Sequence, residues 1–386
     1  MQTAIVHYHE IALKGGNRSF FEAKLKENLV RSLGKEVKVE KKYDHFRVSF
    51  KEAARDEVRE ALGEVCGVEN FSFVSTCAVS FDQVVERGLE MVREEVEERE
   101  DVTFRVRVNR SDKNFEMNSM EIAKKISAGI LPQIECLRVD LRKAEVVLHV
   151  DWGREEVKLS VKKEPGMGGL PVGVSGKVVS LISSGFDSPV SSFMMMRRGA
   201  TIVYVHFHSY PATGMESMEN VKKIVERLNE FQGKSKLYMI PLIDYQKVVV
   251  GKAPAALRVL LYRRMMIRLA ERVMRREKAK ALVTGESLAQ VASQTLENMN
   301  TVNVLANRPI LRPLIGMNKN EIIKMAEQIG TAEISAQPYE DCCSLYIPKA
   351  PALAARVQEL EEAEKKLEVE RWEDELWEAR ELVKFG

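Results

Sequence analysis

Apolar residues recur at two different spacings over residues 1–165, and the alternation between these spacings predicts two successive α+β units. Apolar positions three and four residues apart predict helices over 20–33, 52–62, 81–97 and 119–131. Short alternating or β-branched apolar runs predict strands near 3–6, 37–39, 46–50, 103–108, 139–141, 145–150 and 156–161. We assign residues 1–62 to the first unit and 63–165 to the second.

A Gly/Pro-rich stretch over 166–176 interrupts this pattern and predicts a linker. From residue 177 to 386, apolar strands alternate with amphipathic helices, which is typical of an α/β fold with a doubly wound parallel sheet. The predicted strands and helices lie near 178–182, 201–207, 220–231, 236–240, 257–275, 281–284 and 319–329. Residues 350–386 alternate Lys, Arg and Glu, which predicts one charged helix with a solvated face or a subunit contact.

The most informative local pattern is a strand that breaks into small polar residues before a helix. The strand ending at Ile182 is followed by S-S-G-F-D-S at residues 183–188, and Pro189 suits the first turn of the next helix. Such a turn directs free backbone N–H groups, a helix dipole and serine hydroxyls at one place, which favours an anion. On shape alone, an ordinary strand-to-helix turn remains the alternative. A Walker loop is excluded, because the nearby Gly176-Lys177 pair precedes the strand.

Ligands of a doubly wound sheet lie across the carboxyl ends of its strands. We therefore expect backbone amides at the first two strand ends to hold a nucleotide base, at Leu181, Ile182, His206 and Phe207. His206 and His208 lie on one face of the same predicted strand and are an alternative pair of metal ligands. No third ligand is near them in the sequence, so we predict no metal site.

Charge and cysteine content limit the classes of partner. Lys plus Arg total 59 against 57 for Asp plus Glu, a net charge of +2, so nucleic-acid binding requires local basic patches. The five cysteines show no C-x-x-C or Cys/His zinc pattern, and neither a disulfide framework nor structural zinc is expected. A signal sequence and an apolar stretch of about 18 residues are also missing from the sequence, so we expect a cytoplasmic protein without a membrane segment.

The S-S-G-F-D-S loop resembles the S-G-G-x-D-S loop of the PP-loop ATP pyrophosphatase family, which holds the pyrophosphate of ATP while AMP is transferred. The resemblance implies ATP binding by Ser183, Ser184, Gly185, Asp187 and Ser188. Ser184 stands where that family usually has Gly, and a serine fits there if its φ is negative. Asp187 would either contact Mg²⁺ or neutralise hydroxyl donors, and the magnesium site is not assignable from the sequence.

Two motifs in the first half resemble an RNA-modifying enzyme. H-E-I-A-L-K-G-G-N-R at 9–18 resembles the N-terminal signature of the tRNA 4-thiouridine synthetase family, in which this unit is a ferredoxin-like domain. V-R-V-N-R-S-D-K-N-F at 106–115 resembles a THUMP domain, an RNA-binding module. The resemblance implies tRNA contacts that position the backbone, by Lys14, Asn17, Arg18, Arg105, Arg107, Arg110 and Lys113. Solvated basic turns are the alternative interpretation.

Two further segments resemble the same family closely, R-R-M-M at 263–266 and G-E-S-L-A-Q-V-A-S-Q-T-L at 285–296. By this resemblance Arg263, Gly285 and Gln294 join the nucleotide site, and a guanidinium suits the α-phosphate because its planar fork donates two hydrogen bonds. P-Y-E-D-C-C-S-L at 338–345 places a cysteine pair where the family carries a persulfide. We assign the persulfide to Cys343 ahead of Cys342.

The resemblance as a whole implies a tRNA 4-thiouridine synthetase. ATP would adenylate the C4 oxygen of uridine 8, the loop would retain pyrophosphate, and sulfur would then displace AMP. Implied partners are the acceptor stem and elbow of tRNA, a cysteine desulfurase or another sulfur donor, and a second copy of the chain. Many family members carry a C-terminal rhodanese domain, but this sequence has only the predicted helix there, so we expect a separate donor, free sulfide, or a persulfide on the cysteine pair. Two alternatives stay open: adenylation of a sulfur-carrier protein for thiazole synthesis in thiamine biosynthesis, and an inactive tRNA-binding protein.

Overall fold

A computed structural model of the chain describes residues 2–97, 99–110, 115–338, 340, 342 and 345–386. The chain divides into two compact units, Met1–Gly169 and Leu170–Gly386. Each unit has its own sheet and its own apolar core.

The first unit is built on one mixed sheet. Its strands are β1 Gln2–His7, β2 Lys38–Lys41, β3 His45–Phe50, β4 Asn70–Cys77, β5 Val102–Arg110, β6 Leu137–Val139, β7 Val146–Trp152, β8 Val157–Ser160 and β9 Glu164–Pro165. The order is β2-β3-β1-β4-β8-β7-β5-β6, with β9 also beside β4. Sequence analysis missed β4, the strand that pairs with β1 on one side and with β8 on the other.

Four helices cover one face of this sheet. They are α1 Arg18–Leu33, α2 Arg55–Glu64, α3 Phe81–Val96 and α4 Ser119–Ile130, close to the predicted helices. α1 and α2 pack on a core that contains Phe71 and Phe73, and α3 and α4 pack on a second core beside Cys77. These three residues of β4 are separated by even numbers of positions and therefore point to the same side of the sheet. The opposite face carries no helix of the described part of this unit.

The second unit is the predicted doubly wound parallel sheet. Its strands are β10 Lys177–Leu181, β11 Thr201–His208, β12 Ser235–Pro241, β13 Leu282–Val283, β14 Ile310–Leu311 and β15 Glu381–Phe385. The order is β14-β13-β10-β11-β12-β15, and the first five strands are parallel. The chain reverses its direction of winding between β10 and β13. Such a reversal opens a crevice at the carboxyl ends of the two strands, where ligands of open α/β sheets bind.

The helices of the second unit flank this sheet. They are α5 Asp187–Arg197, α6 Glu216–Gln232, α7 Ile243–Lys252, α8 Arg258–Glu277, α9 Leu296–Asn303, α10 Lys319–Gln328, α11 Ala332–Ser335, α12 Val357–Glu364 and α13 Val369–Glu378. α7 and α9 are additions to the predicted elements. Both lie beside the carboxyl end of the sheet and contribute to the site described below.

The prediction of one charged helix over 350–386 was wrong. The structure has α12 and α13 in this range, followed by β15, which pairs antiparallel with β12. Apolar residues between the charges are buried in the core of the second unit, including Leu360, Leu367, Leu376 and Trp377. The segment is therefore an integral part of this unit.

The linker residues just after Gly169 belong to the second unit. Leu170 N–H donates to the Arg197 carbonyl oxygen at 2.8 Å, and Gly173 N–H donates to the Gly199 carbonyl oxygen at 2.9 Å. These bonds place the segment at the C-terminal end of α5, whereas the 183–188 loop lies at the N-terminal end of the same helix.

Candidate active site at the switch of the parallel sheet

The loop after β10, residues 183–188 and hereafter the serine loop, is closed by one hydroxyl. Ser188 Oγ accepts the Ser183 N–H at 2.8 Å and lies 3.2 Å from the Ser183 carbonyl oxygen, to which it donates. These bonds attach the start of the loop to the first turn of α5, which begins at Asp187. The free N–H groups and the dipole of that first turn face the loop and favour an anion there.

The serine at the family's usual glycine position fits the loop. Ser184 is fully buried, and its Oγ lies 3.4 Å from Ser217 Oγ near the start of α6. Ser184 is not among the described non-glycine residues with positive φ. The condition set by the sequence is therefore met, since the hydroxymethyl group is accommodated beside α6 without a left-handed backbone.

Gly285 brings the loop after β13 directly onto the serine loop. A Cβ added at Gly285 would lie 2.8 Å from the Asp187 carbonyl carbon and 2.8 Å from the Ser188 nitrogen. Both contacts are with backbone atoms, so any side chain at this position displaces the start of α5. Residues 285–294, hereafter the glycine loop, and the serine loop thus meet at the sheet reversal.

Asp187 is held by two side chains that sequence analysis missed. Lys319 Nζ lies 2.7 Å from Asp187 Oδ1, and Gln290 Nε2 donates to Asp187 Oδ2 at 3.0 Å. Lys319 is the first residue of α10, and its ammonium also lies 5.4 Å from the centre of the Phe186 ring. Asp187 and Lys319 are 132 positions apart, so no local sequence pattern connects them. The structure brings a cation, a carboxylate and an amide to the anion-favouring end of α5.

A buried carboxylate orients two guanidinium groups beside the glycine loop. Glu286 is paired with Arg263 and accepts from Arg312 Nε at 2.6 Å and from Thr284 Oγ1 at 2.8 Å. Arg263 Nη1 also donates to the Ser293 carbonyl oxygen at 2.9 Å. Burial lowers the pKa of the Arg312 guanidinium. Sequence analysis identified Arg263 but missed Glu286 and Arg312, whose partners are remote in sequence.

At the ends of β10 and β11, more of the polar groups are hydrogen-bonded within the sheet than predicted. Ile182 N–H donates to the Val205 carbonyl oxygen at 2.9 Å, so this N–H group is bonded within the sheet, and the contact of Ile182 with a nucleotide base stays a prediction. His206 Nδ1 lies 2.9 Å from the Ile182 carbonyl oxygen and donates to it, because a carbonyl only accepts. Leu181 ends β10, and Phe207 is buried in the core at its pairing position in β11.

The two histidines of β11 form a packed pair. Their rings stack with centroids 6.3 Å apart. Burial, and then the charge of His206, lowers the pKa of His208 to about 4. No group of three or more His, Cys, Asp or Glu suited to a metal ion occurs in the part of the chain that the structure describes.

Gln294 closes a turn at the end of the glycine loop. Its carbonyl oxygen accepts from Ala289 N–H at 2.9 Å, and its own N–H donates to the Val291 carbonyl oxygen at 2.8 Å. Ala289 has a φ of 60°, which marks a tight reversal of the backbone. Gln294 therefore shapes the loop that carries Gly285 and Gln290.

Of the predicted cysteine pair, Cys342 lies in the described part and Cys343 lies outside it. Cys342 is 7% exposed and belongs to the apolar core of the second unit. Its carbonyl oxygen accepts from Gln246 Nε2 at 2.7 Å, and Gln246 Oε1 accepts from Ser209 Oγ at 2.6 Å. The backbone at Cys342 is thereby attached close to the carboxyl end of β11.

The predicted tRNA contacts of the first half form two groups within the first unit. Lys14 and Asn17 lie in the turn before α1, and Arg18, the first residue of α1, is bonded to Glu22 and to the Tyr8 hydroxyl. These bonds stabilise the turn itself. Asn17 is exposed, and the Lys14 ammonium lies 5.3 Å from the centre of the Phe21 ring.

The second group lies on or near β5. Arg107 is exposed, while Arg105 Nη1 donates to the Leu141 carbonyl oxygen at 2.9 Å. Arg110 donates to the Met117 carbonyl oxygen at 2.7 Å and fixes the chain before α4. The predicted contact Lys113 lies outside the described residues. The structure thus leaves Arg107 as the most accessible of these three arginines.

In the described part of the chain, no helix is both long and apolar enough to cross a membrane.

Comparison with known proteins gives matches along the whole chain. Family models match at residues 3–72 (ThiI ferredoxin-like domain), 78–162 (THUMP domain) and 173–369 (Thiamine biosynthesis protein, ThiI). A probable tRNA sulfurtransferase of a Thermoanaerobacter species is 38% identical over 372 residues, covering 96% of each chain. A protein of the same description from Thermus thermophilus is 41% identical over 94% of this chain and 89% of its own.

A solved structure agrees over the full length. The crystal structure of a 4-thiouridine synthetase–RNA complex with bound ATP superposes with a TM-score of 0.90 at 34% identity and covers 100% of both chains. The predicted order of ferredoxin-like, THUMP and PP-loop domains is confirmed by these matches. The chain belongs to the ThiI family.

Proposed function

We propose that this protein is an ATP-dependent tRNA sulfurtransferase that converts uridine, at position 8, to 4-thiouridine. The observation that carries the proposal is the serine loop, closed by Ser188 and packed against Gly285 at the sheet reversal. The full-length likeness to a 4-thiouridine synthetase solved with RNA and ATP supports the same conclusion. The alternatives, sulfur-carrier adenylation and an inactive RNA-binding protein, are not favoured, since relatives are tRNA sulfurtransferases and Ser184 does not distort the loop.

The first step activates the uridine. The C4 oxygen attacks the α-phosphorus of ATP, the bond from that phosphorus to the bridging oxygen of the β-phosphate breaks, and the N3 proton of the base is lost. Pyrophosphate leaves with the electron pair of the broken bond. The serine loop and the start of α5 stabilise its charge through hydroxyls and N–H groups that are already oriented.

The cationic side chains around the loop have separate roles in this step. Lys319, held by Asp187, faces the departing pyrophosphate, and Asp187 keeps the ammonium at the end of α5. Arg263 is oriented by Glu286 toward the glycine loop and suits the α-phosphate. Each oxygen of Asp187 accepts from one side chain and keeps a further lone pair, so Asp187 would remain a candidate contact for the Mg²⁺ of MgATP.

The second step replaces oxygen by sulfur. Hydrosulfide attacks C4, the C4–O bond breaks, and AMP leaves with the electron pair, which yields the thiocarbonyl without a change of oxidation state. When the donor is a persulfide on Cys343, its outer sulfur attacks C4, AMP leaves, and a second thiol then reduces the S–S bond and becomes part of a disulfide. Cys342 is too buried to carry the sulfur, so Cys343 is the proposed carrier. A cysteine desulfurase supplies the persulfide.

The first unit binds the tRNA. Arg107 and Arg105 on β5 and Lys14 before α1 contact phosphates of the acceptor stem and elbow, which positions the substrate without reading its sequence. We place the enzyme in the cytoplasm and expect a homodimer.

The experiment that tests the function combines the full chain, unmodified tRNA, MgATP, sulfide and a thiol reductant. Pyrophosphate release that depends on tRNA, together with 4-thiouridine in the tRNA nucleosides by mass spectrometry, is the expected result. Pyrophosphate release without tRNA thiolation, with an acyl-adenylate on a sulfur-carrier protein, would instead identify the thiazole role. No pyrophosphate release under any condition would refute an adenylating enzyme.

A further inference from the structure

Two buried amide side chains hold the segment that includes the cysteine pair. The structure describes Cys342 and residues 345–355 of this segment, hereafter the cysteine segment, and the Cys342 carbonyl oxygen accepts from Gln246 Nε2 at 2.7 Å. Gln246 is fully buried on α7, and its Oε1 accepts from Ser209 Oγ at 2.6 Å. Ser209 directly follows β11. Gln246 therefore bridges the carboxyl end of that strand and the first residue of the cysteine segment.

The far end of the cysteine segment is held by Asn298. This residue is fully buried on α9, and its Nδ2 donates to the carbonyl oxygens of Ala292 at 2.7 Å and Ala352 at 2.8 Å. Its Oδ1 accepts from Ala355 N–H at 3.0 Å. Ala292 belongs to the glycine loop, so one side chain bonds the nucleotide-binding loop and the cysteine segment at the same time.

A second contact beside Asn298 reinforces this end. Thr295, the residue that follows the glycine loop, donates from Oγ1 to the Leu353 carbonyl oxygen at 2.7 Å. Asn298 uses both of its amide donors and one acceptor on backbone groups, and Gln246 has a backbone carbonyl and a hydroxyl as partners. An apolar side chain at either position would leave buried polar groups without partners, which costs more than a lost hydrogen bond alone.

We propose that Gln246 and Asn298 are positioning residues that hold the cysteine segment in register with the adenylation site. The proposal rests on the function proposed above. The bonds of the Gln246 side chain reach the cysteine segment and Ser209 but not the glycine loop, so its loss should affect sulfur transfer without affecting adenylation. Asn298 contacts both the glycine loop and the cysteine segment and should affect both steps.

The chain offers a matched control for Gln246. Gln232 is also a buried glutamine of the second unit, and its side chain bonds both backbone groups of Ile202, at 2.9 and 3.2 Å. Ile202 lies near the start of β11, at the end of the strand opposite to Ser209. Gln246→Met and Gln232→Met therefore remove the same chemistry from the two ends of one strand.

The main experiment measures tRNA-dependent pyrophosphate release and 4-thiouridine formation in the full chain, with a sulfur donor that supports the wild type. For Gln246→Met we expect an unchanged KM for ATP and near-normal pyrophosphate release. The yield of 4-thiouridine per pyrophosphate should fall about tenfold or more, because misplacing a reacting group by ~1 Å costs on the order of 100-fold. Gln232→Met should keep the wild-type yield, and Asn298→Asp should lower pyrophosphate release as well. A wild-type yield in Gln246→Met would overturn the proposal.

A second readout does not depend on activity. Because Cys342 is 7% exposed, its thiol should react slowly with iodoacetamide in the folded wild type. Gln246→Met should raise its alkylation rate, followed by peptide mass spectrometry, and Gln232→Met should not. Equal rates in wild type and Gln246→Met would refute the anchoring. If the wild type released no pyrophosphate, the proposed function would fail, while the alkylation rates would still decide whether Gln246 holds the segment.

Discussion

At the scale of single residues, the site depends on one hydroxyl group and on one position without a side chain. The amino-acid composition gives no indication of either role. One hydroxyl, Ser188 Oγ, closes the serine loop, and one missing side chain, at Gly285, lets the glycine loop touch it. Neither residue needs to contact a ligand to affect binding. Each fixes backbone N–H groups whose positions decide how well the charge of an anion at the loop is stabilised.

Ser188→Ala should weaken ATP binding by about fivefold, since a lost hydrogen bond costs ~1 kcal/mol and 1.4 kcal/mol corresponds to a factor of ten. Ser191→Ala is the matched control, because Ser191 is also buried on α5 and its hydroxyl donates to the Ser188 carbonyl oxygen at 3.0 Å. Titration calorimetry with ATP measures both. Equal affinities in the two variants would show that the Ser188 hydroxyl does not shape the loop.

Gly285→Ala should abolish detectable ATP binding, because the added Cβ lies 2.8 Å from backbone atoms of Asp187 and Ser188. Overpacking of this kind costs roughly 1–3 kcal/mol of folding stability as well. At Gly316 an added Cβ meets nothing within 4 Å, so Gly316→Ala should retain ATP binding and stability. ATP titration and urea unfolding distinguish the two, and retained binding in Gly285→Ala would contradict the close approach of the loops.

His208 should make the fold sensitive to mild acid. Its pKa is lowered from 6.5 to about 4, so between these values the unfolded chain takes up a proton that the folded chain does not. Stability should therefore fall as the pH drops from 6.5 towards 4, by up to about 1.4 kcal/mol per pH unit from this group. His208→Gln should flatten that slope in urea unfolding at several pH values. An unchanged slope in His208→Gln would contradict this prediction.

At the scale of elements, the sequence predicts helices and strands that are contiguous along the chain, but it does not predict contacts between elements that are far apart in the sequence. The strand, serine loop and helix at 177–197 are contiguous, and their apolar spacing and Pro189 predict them together. Asp187 and Lys319 are 132 positions apart, and no sequence pattern near either residue predicts that they pair. β15 escaped prediction for the same reason, because a short edge strand in a charged segment acquires its identity from its partner β12.

The buried pair that attaches α12 to α8 is another connection of this kind. Arg264 is 1% exposed and donates to Glu364 from Nε at 2.9 Å and from Nη2 at 2.7 Å, and its Nη1 donates to the Thr301 carbonyl oxygen at 2.6 Å. Arg268 Nη2 reaches the same carboxylate at 3.2 Å. α12 is thus attached to the helix that also carries Arg263.

Glu364→Gln should lower the free energy of unfolding by about 3 kcal/mol or more, because it leaves the buried Arg264 charge without its carboxylate. Glu362→Gln is the control on the same helix, since Glu362 pairs with Lys365 on the surface and both side chains are 68% exposed. Glu362→Gln should lower the free energy of unfolding by less than about 1 kcal/mol. Urea unfolding of the two variants compares them, and similar midpoints would mean that the Arg264 pair adds nothing to stability.

At the scale of the whole molecule, each unit presents its chemistry in a different way. The second unit concentrates its groups at one crevice, at the sheet reversal. The first unit spreads cations over the sheet face that its helices leave open, where burial and the charges of Lys163, Arg107 and Arg105 lower the pKa of His149. The net charge of +2 does not indicate this basic face, because acidic residues elsewhere in the chain balance its positive charge.

This arrangement predicts how tRNA binding responds to salt. Val102, Phe104 and Val106 of β5 point to the helices, so Arg105 and Arg107 point to the open face by strand alternation. Arg107→Ala should weaken tRNA binding and reduce the slope of log affinity against log salt by about 0.7 to 0.9, the contribution of one phosphate contact.

Arg87→Ala is the control for this prediction. Arg87 is 54% exposed on α3, on the helical face, and pairs with Glu90 at 2.7 Å. Arg87→Ala should leave the slope of log affinity against log salt unchanged, although it lowers the net charge by the same amount as Arg107→Ala. Because both variants change the bulk charge by the same amount, a difference in slope can arise only from where the arginine lies. Equal slopes would mean that tRNA does not contact the open face at Arg107 and would move the RNA-binding surface to the turn before α1.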